Sequence, residues 1–216
     1  MIPQLLTLVF ALGGSPVLLA GDGAADAPAT ESKIVRINPN LARVDDLVAL
    51  PHMTRDLAKA MVDARPFLGM LPLDEFLGGK LSREQRDELY RKLWVPIDLN
   101  EATEAEILLI PGVGKRMAHE FEEYRPYDGM PRFRREIGKY VDEKEVVRLE
   151  GFVFLPIDLN TATRDQILAI PGVGKRMAHE FEEYRPYDGM ARFRREIGKY
   201  VDEKEVRRLE RYVRIR

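Results

Sequence analysis

The strongest constraint on this chain is that it repeats itself. Residues 97–146 and 157–206 are identical at 44 of 50 positions, at an offset of 60 residues and without a gap. The same offset lays Ile37-Asn38-Pro39-Asn40 over Ile97-Asp98-Leu99-Asn100. It also lays Leu50-Pro51 over Ile110-Pro111, Arg65-Pro66 over Arg125-Pro126 and Gly69-Met70 over Gly129-Met130. A fixed period of this size means one supersecondary unit used several times. The chain therefore divides into modules 37–96, 97–156 and 157–216. A unit of this length buries a modest part of its surface and is marginally stable alone. Two arrangements remain open: the modules pack on one another, or Pro96 and Pro156 act as stiff joints between them.

Within a module the pattern is helical throughout, so the fold class expected is all-α. Thr103-Glu104-Ala105-Glu106 and Thr163-Arg164-Asp165-Gln166 read as capping boxes that start a short first helix. A second helix runs from about Lys115 to Tyr124 with Met117, Ala118, Phe121 and Tyr124 on one face. Pro126 ends it by biasing Arg125 away from helical angles. Tyr127-Asp128-Gly129 is a turn, and Phe133 and Ile137 belong to a third helix. Gly138-Lys139-Tyr140-Val141 makes a second turn. Asp142 with Glu145 then caps a fourth helix that carries Val146, Leu149 and Val153. No segment alternates with period two for long enough to predict a strand. Trp94 and Tyr90 are expected at the joint between modules one and two.

The stretch with chemical potential joins the first two helices. It reads Ile110-Pro111-Gly112-Val113-Gly114-Lys115-Arg116 and recurs unchanged as Ile170-Pro171-Gly172-Val173-Gly174-Lys175-Arg176. Glycine at both turn positions permits positive φ and leaves nothing between the backbone and whatever approaches it. The first N–H groups of the next helix lack intrahelical acceptors and sit at the positive end of its dipole. Two cations beside them make an anion site, so Gly112, Val113, Gly114, Lys115 and Arg116, with Gly172, Val173, Gly174, Lys175 and Arg176, are the candidate phosphate-binding residues. The alternative is a turn that is tight only for packing. Module one reads Pro51-His52-Met53-Thr54-Arg55 here, with both glycines gone. It keeps the packing positions Leu57, Ala58, Met61 and Ala64, so it preserves shape and loses the anion loop.

These residues carry a resemblance. Leu99-Asn100-x-Ala102-Thr103, Ile107-Leu108, Pro111 to Gly114, Ala118, Tyr124-Arg125, Gly129 and Phe133 are similar to the helix-hairpin-helix module of the ComEA-like competence DNA-receptor family. Module three matches at Leu159-Asn160, Ala162-Thr163, Pro171 to Gly174, Ala178, Tyr184-Arg185, Gly189 and Phe193, and module one matches more weakly. The resemblance implies three tandem helix-hairpin-helix (SAM-like) modules, the first degenerate. It also implies sequence-independent binding of double-stranded DNA through its backbone and, outside the cytoplasm, capture or uptake of DNA. The family pattern has a second Gly-hydrophobic-Gly turn, of which Gly138-Lys139-Tyr140 keeps only the first glycine. Similar modules also serve as protein-binding scaffolds in an extrinsic photosystem II subunit and in secretion components. A structural or protein-interaction protein, with other envelope proteins as partners, is therefore the rival expectation.

Charge bears on the choice. The 216 residues carry a net charge of −2, without the basic excess of a nucleic-acid-binding chain. Module one has 9 basic and 9 acidic residues, module two 9 and 13, and module three 14 and 11. The excess in module three sits at Arg207, Arg208, Arg211, Arg214 and Arg216, which places nucleic-acid affinity there or else marks a solvated basic helix. Arg132, Arg134 and Arg135, with Arg192, Arg194 and Arg195, either flank a bound backbone or pair with Glu120, Glu122 and Glu123. The structural reading is favoured. His119 and His179 lie among acids on a polar face without metal-ligand spacing, and cysteine is absent, so no metal site is expected. No nucleophile–base pair or carboxylate dyad stands out. Neither catalysis, a cofactor nor a small-molecule substrate is expected. Tyr124 belongs to the apolar face, which argues against a base-stacking role.

Residues 1–25 read as a secretory signal peptide with an apolar run from Leu5 to Ala20, cut after Ala20 or Ala25, although no Lys or Arg precedes the run. An uncleaved anchor or a misassigned start is the alternative. Residues 26–36 read as a flexible spacer. The expected location is periplasmic or extracellular.

Overall fold

The computed structural model describes residues 36–216. The expected signal peptide and nearly all of the expected spacer lie outside these residues. The described chain is mostly helical, as expected of an all-α protein, with a few very short strands. Module one contains α1 (Val44–Val48), α2 (Arg55–Asp63), α3 (Met70–Gly78) and α4 (Arg83–Tyr90). Module two runs β1 (Ile97–Asp98), α5 (Glu104–Ile107), α6 (Lys115–Glu123), α7 (Met130–Ile137), α8 (Glu143–Glu150) and β2 (Val153–Phe154). Module three repeats that order as β3 (Ile157–Asp158), α9 (Arg164–Leu168), α10 (Lys175–Glu183), α11 (Met190–Ile197), α12 (Glu203–Glu210) and β4 (Val213–Arg214). No helix among the described residues is long and apolar enough to cross a membrane.

The strands correct the sequence expectation. Each module pairs its entry with its exit in parallel: Ile37 with Leu93, Ile97 with Val153, and Ile157 with Val213. Two residues are too few to show an alternating pattern, so the pairing has no sequence signature. Val153, expected on the fourth helix, lies in β2 instead. A second closure recurs three times. The Asn100 side chain donates to the Tyr127 carbonyl at 2.9 Å and accepts from the Tyr127 N–H at 2.7 Å, and Asn40 with Phe67 and Asn160 with Tyr187 do the same. Arg125 donates to the Ala102 carbonyl at 2.6 Å and Arg185 to that of Ala162 at 2.7 Å, while Arg65 reaches Ala42. The Asn and Arg that help carry the resemblance therefore tie the first two helices to the turn that follows. The Arg–Pro peptide bond after each is cis in all three modules.

Local capping follows the sequence with one exception. The Thr163 N–H donates to Gln166 Oε1 at 2.8 Å and the Gln166 N–H to Thr163 Oγ1 at 3.3 Å, a reciprocated box. At Thr103 only half of the box forms, because Glu106 Oε1 accepts from the Met70 N–H at the start of α3 (3.3 Å). Asp142 and Asp202 cap α8 and α12, each accepting at 2.8 Å from the residue three further on.

Modules one and two share one apolar core, running from Ala42 to Val153, whereas module three has its own, from Leu159 to Val213. Trp94 is 1% exposed and meets Phe152 edge-to-face at 5.0 Å, its indole N–H donating to the Phe152 carbonyl at 2.8 Å. Tyr90 packs on its other side at 6.1 Å, so both residues sit at the expected joint. The Arg36 guanidinium lies 3.5 Å from the Phe152 ring centre and fills the space that a Cβ on Gly151 would need. Burial and the nearby Arg148 charge push the Arg36 pKa down to about 10. At the next joint the same positions hold Phe154 and Tyr212, 4.6 Å apart. There the guanidinium comes from the other side, as Arg211 donates to the Pro96 carbonyl at 2.8 Å. The modules pack on one another, and the prolines are not spacers between separate bodies.

Removing the shared ring tests the first joint. Phe152→Ala leaves a cavity in a buried contact and is expected to cost about 3–5 kcal/mol. Trp94 is the only tryptophan, so its fluorescence should also shift to the red in the folded variant. Unchanged emission and stability would show that the rings merely touch.

Candidate functional site

The two glycine turns have one geometry. Gly112 and Gly172 take φ of 84° and 82°, and the N–H groups of Val113 and Val173 donate to the Ile110 and Ile170 carbonyls, each at 3.0 Å. Gly114 and Gly174 are extended, with φ of −104° and −95°, so only the first glycine of each pair uses left-handed backbone. The expectation that both glycines serve positive φ is corrected. The second glycine is instead the N-cap of α6 or α10, and no side chain caps either helix start. Nothing lies within 4 Å of where a Cβ would stand on Gly114 or Gly174.

Module one shows the same backbone with different chemistry. His52 adopts φ of 61° at the position of Gly112, a conformation that costs a non-glycine residue roughly 1–2 kcal/mol. Its ring hydrogen-bonds Glu88 at 2.7 Å. At the Gly114 position, Thr54 Oγ1 accepts from the Leu57 N–H at 3.2 Å and so satisfies the helix start from within. Arg55 pairs with Asp45 at 3.1 Å. The turn survived in module one, while its donors and its cation are engaged internally.

Lys115, Arg116, Lys175 and Arg176 are exposed, and their side chains make no ion pair or hydrogen bond among the described residues. Most of the other basic groups near them are engaged. Arg134 and Arg194 pair with Glu150 and Glu210, and Arg135 and Arg195 pair with Glu136 and Glu196 at 2.9 Å. Four of the six arginines therefore pair with acids, but on α7, α8, α11 and α12 and not with the anticipated Glu120, Glu122 and Glu123, while Arg132 and Arg192 each keep a buried Nε without a hydrogen-bond partner among the described residues. Lys139 also binds Glu136, and with Arg135 it holds that carboxyl below its ordinary range. The second turn therefore has its cation occupied. Its Gly138 is needed because a Cβ would stand 2.7 Å from the Arg134 carbonyl oxygen. His119 and His179 face Glu123 and Glu183 at 3.2 and 3.4 Å. No group of His, Asp or Glu that could hold a metal occurs among the described residues. Tyr127 is buried, and Tyr124 shares a 2.8 Å hydroxyl contact with Tyr140, which raises the Tyr140 pKa.

The arginine excess of module three is largely internal. Arg208 is 1% exposed, forks onto Glu205 at 2.6 and 2.7 Å, and donates to the Pro171 carbonyl at 2.7 Å. Arg211 is spent on the joint, where burial lowers its pKa. Arg207 pairs with Glu203 at 3.4 Å but is exposed, as is Arg216. Arg208 and Arg211 are thus held by internal acceptors, while Arg207, Arg214 and Arg216 stay at least partly exposed. Charge counting could not reveal it, because two of the acceptors are backbone carbonyls, that of Pro171 within the module and that of Pro96 in module one.

Arg148 is a residue that sequence reasoning passed over, and Arg208 was read there only as part of a basic excess. Arg148 forks onto Glu145 at 2.6 Å and brings Nη2 within 3.5 Å of the position of a Cβ on Gly112. Arg208 stands 2.9 Å from the same point on Gly172, which Leu41 of module one also approaches to 2.8 Å. The signal lay in the repeats: glycine at the turn goes with arginine 36 residues on, and His52 goes with Glu88.

No family model, no curated protein and no solved structure matches the chain.

The two turns should respond differently to one methyl group. Gly112→Ala adds a side chain in left-handed backbone and is expected to cost about 1–2 kcal/mol. Gly172→Ala adds crowding against Leu41 and Arg208, for a further 1–3 kcal/mol. Urea unfolding of both variants checks the order, and equal losses would contradict the geometry.

Proposed function

We propose that this is a protein of three tandem helix-hairpin-helix modules, exported from the cytoplasm, that binds double-stranded DNA through its backbone without reading sequence. The observation that carries this reading is the pair of uncapped helix starts at α6 and α10, each beside two exposed cations with no partner among the described residues. Phosphates lie against the N–H groups that follow Gly114 and Gly174, and Lys115, Arg116, Lys175 and Arg176 supply Coulomb attraction. Two such sites on one body reinforce each other where a duplex spans both. The reading assigns no catalytic step, cofactor or small-molecule substrate, and it fits capture or uptake of DNA. Module one, with its helix start capped by Thr54, acts as spacer and packing partner.

One observation favours the rival, a scaffold whose hairpins meet protein: Gly172 stands against Leu41, and Arg208 and Arg211 are spent on intramolecular contacts. The test separates folding from binding. Gly114 and Gly174 are extended, so Gly114→Asp with Gly174→Asp adds no backbone strain. Each aspartate caps its own helix, changing stability by a few tenths of a kcal/mol, and puts a carboxylate where phosphate would sit. The full chain should bind random-sequence duplex at low salt and weaken steeply as salt rises, while the variant stays folded and loses binding. Equal binding by the two proteins, or none by the wild type, would sink the DNA reading and leave the scaffold.

A further inference from the structure

We propose that the module-three hairpin is an intramolecular docking element, the part of module three that seats on module one. The reading concerns the Gly172 side of the turn and stands apart from any ligand at the helix start.

Four observations converge on it. Module three has its own apolar core, which takes in Phe154 of module two but no residue of module one, so its attachment to module one rests on contacts outside the cores. Beside the Arg211 hydrogen bond to the Pro96 carbonyl, module three meets module one at the turn, where a Cβ on Gly172 would stand 2.8 Å from Leu41 Cδ2 and 3.4 Å from Cδ1. Residues of the two modules also line one cavity of about 250 Å³, with Asn40, Val62 and Arg65 from one and Lys204, Glu205 and Arg208 from the other. Finally, the two hairpins differ in burial despite their identical sequences: Val173 and Arg208 are buried, while Val113 and Arg148 are only partly so.

The glycine at 172 thus has a use that differs from the one at 112. In both, left-handed backbone favours glycine. At 172 the missing side chain also makes room for a leucine, backed by Arg208, whose guanidinium holds the Pro171 carbonyl from beneath. Leu41 is 42% exposed, so the clasp lies at the rim of the interface, outside either core. Gly174, Lys175 and Arg176 remain exposed. Docking therefore stiffens the turn without covering the start of α10.

The chain contains its own control. Residues 110–130 and 170–190 are identical, so the amides of Val113 and Val173 have the same intrinsic exchange rate and the same turn hydrogen bond. Hydrogen exchange of the full chain, followed amide by amide, should find Val173 protected on the order of tenfold more than Val113. Leu41→Ala removes a half-exposed side chain, keeps the helical circular dichroism, and should bring Val173 down to the rate of Val113, which itself stays unchanged. The proposal is overturned if the two amides exchange alike in the wild type. It is equally overturned if Leu41→Ala leaves their difference in place.

Discussion

Each module is closed by pairing the residue that enters it with the one that leaves it, 56 positions later: Ile37 with Leu93, Ile97 with Val153, Ile157 with Val213. The rest of the architecture depends on this closure. It brings the ends of four short helices together, none of which would be stable in isolation at four to nine residues. It also sets the start of each module beside the end of the next. That placement puts Trp94 on Phe152 and, one period on, Phe154 on Tyr212. The guanidinium at each joint comes from opposite sides of the seam, Arg36 in one and Arg211 in the other. The position facing Arg36 is glycine because there is no room for more. One joint is thus built twice from different residues, which is what a repeated backbone permits as its copies diverge.

The hairpins show the same divergence within a fixed geometry. All three turns hold a left-handed residue at one position, although one of them is a histidine. What changes is where the cation and the helix cap come from. In module one the turn carries His52, which hydrogen-bonds Glu88, the cation Arg55 pairs with Asp45, and Thr54 caps the helix. In modules two and three the turn is bare, an arginine lies beneath it, and the helix start is left uncapped. An uncapped helix start leaves its N–H donors open to an anion, whereas a turn whose histidine meets a carboxylate and whose helix is capped satisfies itself. The physical case for a ligand at modules two and three rests on that contrast more than on the glycines alone.

Much of this was legible in the sequence, and the limits were physical. Helix spans, the caps at Thr163, Asp142 and Asp202, the buried face at Ala118 and Phe121, and the Trp94 joint all follow from local spacing, which sequence records directly. The two-residue strands left no periodicity to read. The diversion of Glu106 from its own cap to the Met70 N–H depends on how module one meets module two. The burial of Arg208 and Arg211 was hidden for the same reason: their acceptors are carbonyls 37 and 115 residues away, and a carbonyl has no sequence signature. The exposed cations at Lys115, Arg116, Lys175 and Arg176 were legible because nothing among the described residues claims them.

The central claim, that the uncapped helix starts hold phosphate, is tested most directly by observing those amides. Titrating the isotopically labelled chain with a short random duplex at low salt and following backbone amide shifts would locate the contact without any substitution. The account predicts that the amides of Lys115 to Met117 and Lys175 to Met177 move together and return as salt is raised, while those of Arg55 to Leu57 in the capped module one stay in place. Shifts confined to other surfaces, or equal shifts in all three modules, would contradict it.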